Sequence, residues 1–170
     1  MKKSQTRTKQ ITFLGLVASV ALLLSYVESL LPPLFAAVPG IKIGLPNIAI
    51  VLVLYTLGVK NAAAVSFVRL TISALLFGNA VSFAYSFAGA VLSLAVMGLL
   101  KKTGLLSPVG VSVAGGVTHN IGQILVAMVL LDTPQIAYYL IVLTVTGIIS
   151  GALIGMCGAF LVKRISNKIQ

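Results

Sequence analysis

The chain has 170 residues, of which 59% are hydrophobic and only 8% charged. A soluble domain carries about 25% charged residues, so there is too little polar material here to clothe a water-facing surface. The net charge of +10, from 12 Lys and Arg against two acids, would point to nucleic acid in a soluble protein. Here the basic residues flank apolar runs, which makes them a topology signal of a chain solvated by lipid, with no nucleic-acid partner implied.

At about 20 residues per crossing plus short turns, the length fits six transmembrane helices in one domain. The sequence predicts a basic tail over 1–10, an all-α six-helix bundle over 11–162 and a second basic tail over 163–170. The first apolar run, Ile11 to Leu31, is of span length and closes on Pro32 and Pro33 without a small-residue cleavage site, so it reads as a retained helix rather than a signal peptide. A segment from Pro32 to Gly44 follows, expected to fold over or into the outer end of the bundle. Helix 2 is expected from Pro46, which costs nothing at a first helical position, to Gly58. At about 18 Å it falls short of a hydrocarbon core of about 30 Å, so its non-helical approach must be shielded from lipid. Helix 3 is expected from Asn61 to Phe77, and helix 4 from the Gly78-Asn79 turn to Leu100. Lys101 to Gly104 form a turn, helix 5 spans Ser107 to Leu131, Asp132 to Pro134 turn the chain, and helix 6 runs from Gln135 to Val162.

With six crossings, Lys2, Lys3, Arg7, Lys9, Lys60, Lys101, Lys102, Lys163, Arg164 and Lys168 all fall on one side of the membrane. Only Lys42 falls on the other. This bias predicts a multi-pass protein of the cytoplasmic membrane with both termini inside. An odd number of crossings would split the two basic ends.

The remaining cation, Arg69, lies about 12 Å into helix 3 from its expected inner end. An arginine near the bilayer centre costs roughly 3 kcal/mol or more, so it must face the interior and have a partner. Two readings stand: a structural pair, for instance with Glu28, or an anion-binding group, whose fork of donors suits carboxylate and phosphate. On helix 5, His119 and Gln123 are four apart and share a face, with Asn120 beside them. Glu28, Asn47 and Asn79 are expected at the outer ends of helices 1, 2 and 4, Asn47 and Asn79 being good caps. Polarity thus gathers in the outer half, which predicts an outward-opening pocket for an anionic small molecule, bordered by Arg69, His119, Asn120, Gln123, Glu28, Asn47 and Asn79.

Small residues form stripes: Gly147, Gly151 and Gly155 on helix 6, Ser82, Ser86, Gly89 and Ser93 on helix 4, Gly15 and Ser19 on helix 1. Such stripes let membrane helices approach closely, either within the chain or against a partner subunit. Cys157, the single cysteine, sits in an apolar run and reads as a small core residue. With two acids far apart there is no carboxylate cluster for magnesium and diphosphate. No phosphate loop, nucleophile–base arrangement or metal-ligand set is evident, so no catalytic residue, metal or cofactor is expected.

The stretches Lys42-Ile-Gly-Leu-Pro-Asn47, Tyr55-Thr-Leu-Gly-Val-Lys60, Arg69 with Leu75-Leu-Phe-Gly78, Tyr85-Ser-Phe-Ala-Gly89 and Gly110-Val-Ser-Val-Ala-Gly-Gly-Val-Thr-His-Asn-Ile-Gly-Gln123 together resemble the Gx transporter family. Its members are often labelled heptaprenyl diphosphate synthase component I. More remotely, the layout is similar to the substrate-binding S components of energy-coupling factor transporters. That resemblance implies a six-helix membrane protein with an outward pocket, docked on a membrane T component and two ATPases. In those proteins two alanines four apart on helix 1 contact the T component; here Gly15 and Ser19 hold that spacing. Three functions compete: a binding and translocation subunit, a noncatalytic membrane subunit associated with prenyl diphosphate synthesis, and a scaffold of a membrane redox complex.

Overall fold

The computed structural model describes residues 2–31 and 44–169, with side chains described over 7–31 and 44–165. Among the described residues the chain is all-helical: α1 (Lys2–Leu30), α2 (Asn47–Leu57), α3 (Val59–Leu76), α4 (Ala80–Thr103), α5 (Pro108–Leu131), a short 3₁₀ turn (Pro134–Tyr139) and α6 (Leu140–Ile169). Five of these helices are long and apolar enough to cross a membrane; α2 is the shorter sixth. The expected path of Pro32 to Lys42 and the side of Lys42 lie outside the described residues.

The helices close a ring in the order α1, α3, α4, α5, α6, α2, with α2 also packed on α3. At 11 residues α2 is about 17 Å long, and it is the most enclosed element. Ile50, Val51, Leu52, Val53 and Leu54 are all 5% exposed or less. A helix too short to span can persist in this solvent only when its neighbours shield its ends from lipid. Its C-terminal carbonyls are satisfied from two directions. Lys101 Nζ donates to the Leu54 carbonyl at 2.6 Å while lying 5.1 Å from the Tyr55 ring centroid, and Asn61 Nδ2 donates to the Leu57 carbonyl at 2.7 Å. A cation suits the negative end of a helix dipole.

Several boundaries differ from the sequence reading. The first helix is continuous from Lys2, so residues 2–10 continue the helix where a tail was expected. A single residue, Gly58, separates α2 from α3, so α3 begins at Val59 rather than Asn61. Its φ of +86° lies where side chains rarely go, and this lets one residue reverse the chain. Helix 4 runs on through Lys101 and Lys102 to Thr103, where Gly104 (φ +67°) ends it in the left-handed conformation. Helix 6 begins at Leu140, because Pro134 opens a 3₁₀ turn in which no long helix has yet formed. Cys157, expected in the core, is exposed on α6.

Packing divides the bundle by height. One end carries Lys60, Lys101, Lys102 and Lys163. Towards it lies a cluster joining Val17, Ala21, Val53, Leu54, Ala62, Val65, Leu94, Met97 and Val111, flanked by Phe13, Tyr55, Val59, Leu100 and Leu161. The opposite end, where α1 and α3 finish and α4 begins, holds the cavity described below. The outer surfaces of the helices are studded with exposed Leu, Val, Ile and Phe, such as Leu16, Leu23, Val91, Leu99, Ile149 and Phe160, as expected for walls facing acyl chains.

The α4–α5–α6 side is joined by glycines. A Cβ built on Gly151 would lie 2.7 Å from Val113 Cα, one on Gly155 2.8 Å from Val109 Cα, and one on Gly147 3.1 Å from Gly116. The helix 6 stripe is therefore occupied by α5, and the close approach that an external subunit would use at Gly147, Gly151 and Gly155 is taken inside the chain. Likewise Gly122 abuts the Ala88 carbonyl, and Gly89 abuts His119. Gly15 is different: nothing lies within 4 Å of its Cβ position. Ser19, one turn on, turns its hydroxyl back to the Gly15 carbonyl at 3.0 Å, and both residues are exposed.

Candidate functional site

The cavity has a volume of about 390 Å³ and opens at the end away from the basic residues. Arg69, His119, Asn120, Gln123, Glu28, Asn47 and Asn79 all border it, although they come from α1, α2, α3, α4 and α5. Its deep wall is formed by Val51, Ser93, Met97 and Ser112, where α2, α4 and α5 converge. The rim carries Phe77, Gly78, Asn79 and Phe83, with Tyr26 of α1 edge-on to Phe77 at 5.7 Å.

Arg69 follows ten residues after the start of α3, roughly 15 Å along the helix, which is deeper than the sequence boundaries implied. One Nη group lies 3.4 Å from Ser25 Oγ on α1, and Ser25 in turn donates to the Ala21 carbonyl at 2.9 Å. Nε has no hydrogen-bond partner among the described residues although it is enclosed by protein. Ser73, one turn along the same face and also at the cavity, has an enclosed and unpartnered hydroxyl. Glu28 is 8% exposed and close enough to act on the guanidinium electrostatically. Its Oε1 also accepts the backbone N–H of Gly44 and, at 3.4 Å, that of Leu45. Glu28 therefore anchors the approach to α2 as well as facing the cation. The arginine's partner named from sequence is thus nearby, but its donors are not used up.

On α5 the neighbours of His119 differ in role. Asn120 Nδ2 donates to the Leu143 carbonyl of α6 at 2.6 Å, which ties two helices together. His119 lies against α4: a Cβ on Gly89 would meet its Nδ1 and Cε1 at 2.9 Å, so the glycine makes room for the imidazole. The Gln123 side chain makes no hydrogen bond to another described residue and borders the cavity. Asn79 is the N-cap of α4: its Oδ1 accepts the Ser82 N–H at 2.8 Å and Ser82 Oγ accepts the Asn79 N–H at 3.0 Å, a capping box. Its position at the rim follows from that cap. Asn47 opens α2, with its backbone N–H on the Gly44 carbonyl at 2.8 Å.

Helical spacing puts Ser112, Gly115 and Gly116 on the face of His119 and Gln123, and all three border the cavity; sequence reasoning missed the other hydroxyls. Ser25, Ser29, Ser73, Ser82, Ser86, Ser93 and Ser150 all border the cavity. In sequence the α4 serines read, with Gly89, as a packing stripe. Their spacing identifies a shared face but does not say whether that face meets a helix or a cavity. The available signal was composition: serine recurs along α1, α3, α4 and α5, from the rim to the deep wall of the cavity.

No curated protein and no solved structure matches the chain. A family model described as heptaprenyl diphosphate synthase component I matches residues 17–161, from the first helix to near the end of the last. The match covers the whole bundle and every residue bordering the cavity, and the chain belongs to that family.

Proposed function

We propose that this membrane protein is the substrate-binding and translocation subunit of a small-molecule transporter, and that its ligand is an anion held in the cavity. One observation carries the reading: seven polar residues picked from sequence, spread over five helices, converge on one cavity that contains an intramembrane arginine with an unpartnered Nε. Ionisable groups at such depth are costly and commonly mark ligand or ion sites, and an arginine fork is suited to a carboxylate or phosphate. About 390 Å³ is within the range of small-molecule sites. The positive-inside bias favours cytoplasmic termini, which turns the cavity outward. Gly15 and Ser19 supply an open, small-residue face on α1 for a membrane partner such as a T component with its ATPases. Replacing both with Leu should abolish co-purification of that partner, and unchanged association would remove the face from consideration. The test of the ligand site is mass spectrometry of the small molecules that co-purify with detergent-solubilised wild type and Arg69→Lys. An anion present with wild type and depleted from the variant is expected; equal recovery, or no anion from either, would refute the site.

The family description favours a second reading, a noncatalytic membrane subunit of a prenyl diphosphate synthase. In that case a synthase subunit should co-purify with the chain. The cavity itself suits a long prenyl chain poorly, because beside apolar residues such as Val51, Phe77 and Met97 it places Arg69, Glu28 and several serines on the wall, where an alkyl chain would leave them unpaired.

A further inference from the structure

The charges around the cavity nearly cancel before any ligand arrives. Among the described residues bordering it, Arg69 of α3 is the cation and Glu28 of α1 the anion, and each acts on the other. The cavity-lining residues of α2, α4 and α6 bring no charge: Asn47 from α2, serines and Phe83 from α4, and Ser150, Gly151 and Ile154 from α6. Tyr85 of α4 is not among the lining residues, and Lys101 and Lys102 lie at the other end of that helix. An anion held against this wall adds a negative charge that Arg69, already facing Glu28, only partly compensates, and an uncompensated charge enclosed by protein is unfavourable. One further group at the wall can change its charge near neutral pH. It is His119 of α5, the only histidine in the chain.

Resting on the anion-binding reading above, we infer that binding of an anion in the cavity is linked to uptake of one proton by the His119 imidazole. The balance is simple: anion and proton enter together, imidazole becomes imidazolium, no covalent bond other than N–H is made, and the occupied cavity returns to its resting net charge. The geometry allows it. The ring borders the cavity and rests by its Nδ1–Cε1 edge on Gly89, whose missing side chain leaves α4 able to accommodate the ring. Translocation of the anion would then carry a proton with it, which makes the site responsive to a pH difference across the membrane.

The sign follows from linkage. A proton taken up on binding means that affinity rises as pH falls, by up to tenfold per pH unit while His119 is neutral in the empty protein and charged in the occupied one. Below that window the empty protein is already protonated and the slope vanishes. The test uses full-length protein in detergent carrying ¹⁵N-labelled histidine, whose side chain gives a single set of imidazole resonances. The probes are benzoate and methanesulfonate, which both stay monoanionic from pH 6 to pH 8, added at pH 7.5, with thermal stabilisation recorded in parallel for wild type, Arg69→Lys and His119→Gln. The expected result is a probe that stabilises wild type more than Arg69→Lys, moves the resonance to the imidazolium position, and binds at least about tenfold tighter at pH 6 than at pH 8. In His119→Gln any residual binding should have lost that pH slope. Arg69-dependent binding with an unchanged neutral imidazole would overturn the proton linkage while leaving the anion site standing. Stabilisation by neither probe would overturn both the anion reading and the linkage built on it.

Discussion

Arg69 and Glu28 are placed to do different jobs, and substitution can separate them. Glu28 holds the Gly44–Leu45 backbone and compensates a buried guanidinium, so Glu28→Gln should lower the stability of the ligand-free protein. Losing a charge-assisted hydrogen bond in an enclosed site costs about 1.5–3 kcal/mol. Arg69→Lys keeps the charge opposite Glu28 and should leave the ligand-free melting temperature close to wild type. It loses the planar fork, so affinity for the ligand should fall about 10- to 150-fold, the same energy expressed as binding. Thermal unfolding of both variants in detergent, with and without ligand, checks the pair. Equal destabilisation of the empty protein by both would show that Arg69 is simply Glu28's structural partner. The importance of Arg69 was legible in sequence because a charge at that depth demands a reason. That Glu28 also holds the start of α2 was not, since the contact joins residues 16 apart through backbone groups that carry no sequence label.

At the scale of elements, turn chemistry marked every helix, and the differences lie at the boundaries, most instructively where one residue does the work of a turn. Gly58 alone breaks α2 from α3, and a glycine between apolar runs does not reveal in advance how few residues the reversal needs. The glycine stripes show the same ambiguity. Spacing identified the α6 stripe, and only packing shows that it meets α5 rather than a partner. The two kinds of small-residue face should respond differently to a methyl group. A Cβ on Gly116 would lie 2.5 Å from the Gly147 carbonyl oxygen, so Gly116→Ala must separate α5 from α6. Overpacking of this kind costs about 1–3 kcal/mol. Gly15→Ala meets nothing within 4 Å and removes a helical glycine, so its effect on the isolated protein should be neutral or slightly stabilising. Melting temperatures of the two alanine variants test this; a Gly15→Ala loss as large as that of Gly116→Ala would mean that α1 packs on a surface not seen within the described chain.

In the whole molecule a charge pattern, a short buried helix and a cavity belong together. The basic residues and the apolar cluster occupy one end, and the polar wall occupies the other. Because α2 starts only at Asn47, it fills the ring of described helices at one end only, and the serines, amides and Arg69 border the cavity at the other. The polar half of the bundle was visible in sequence as a matter of depth, since counting residues along each helix places Glu28, Asn79 and His119 towards the outer side, with Asn79 at the rim and His119 deeper, against Gly89. Apart from Ser112, the lining serines were not, because height does not give rotation about the helix axis. The central claim is that this space is an aqueous site reached from outside the cell. It is tested most directly by placing a cysteine at Ser86, on the cavity wall, in a Cys157→Ala background, and treating intact cells with a small membrane-impermeant thiosulfonate. The account predicts modification of Ser86→Cys from outside, and modification of a Lys60→Cys control only after the membrane is opened. Ser86→Cys that reacts only from the cytoplasmic side, or Lys60→Cys that reacts in intact cells, would contradict it.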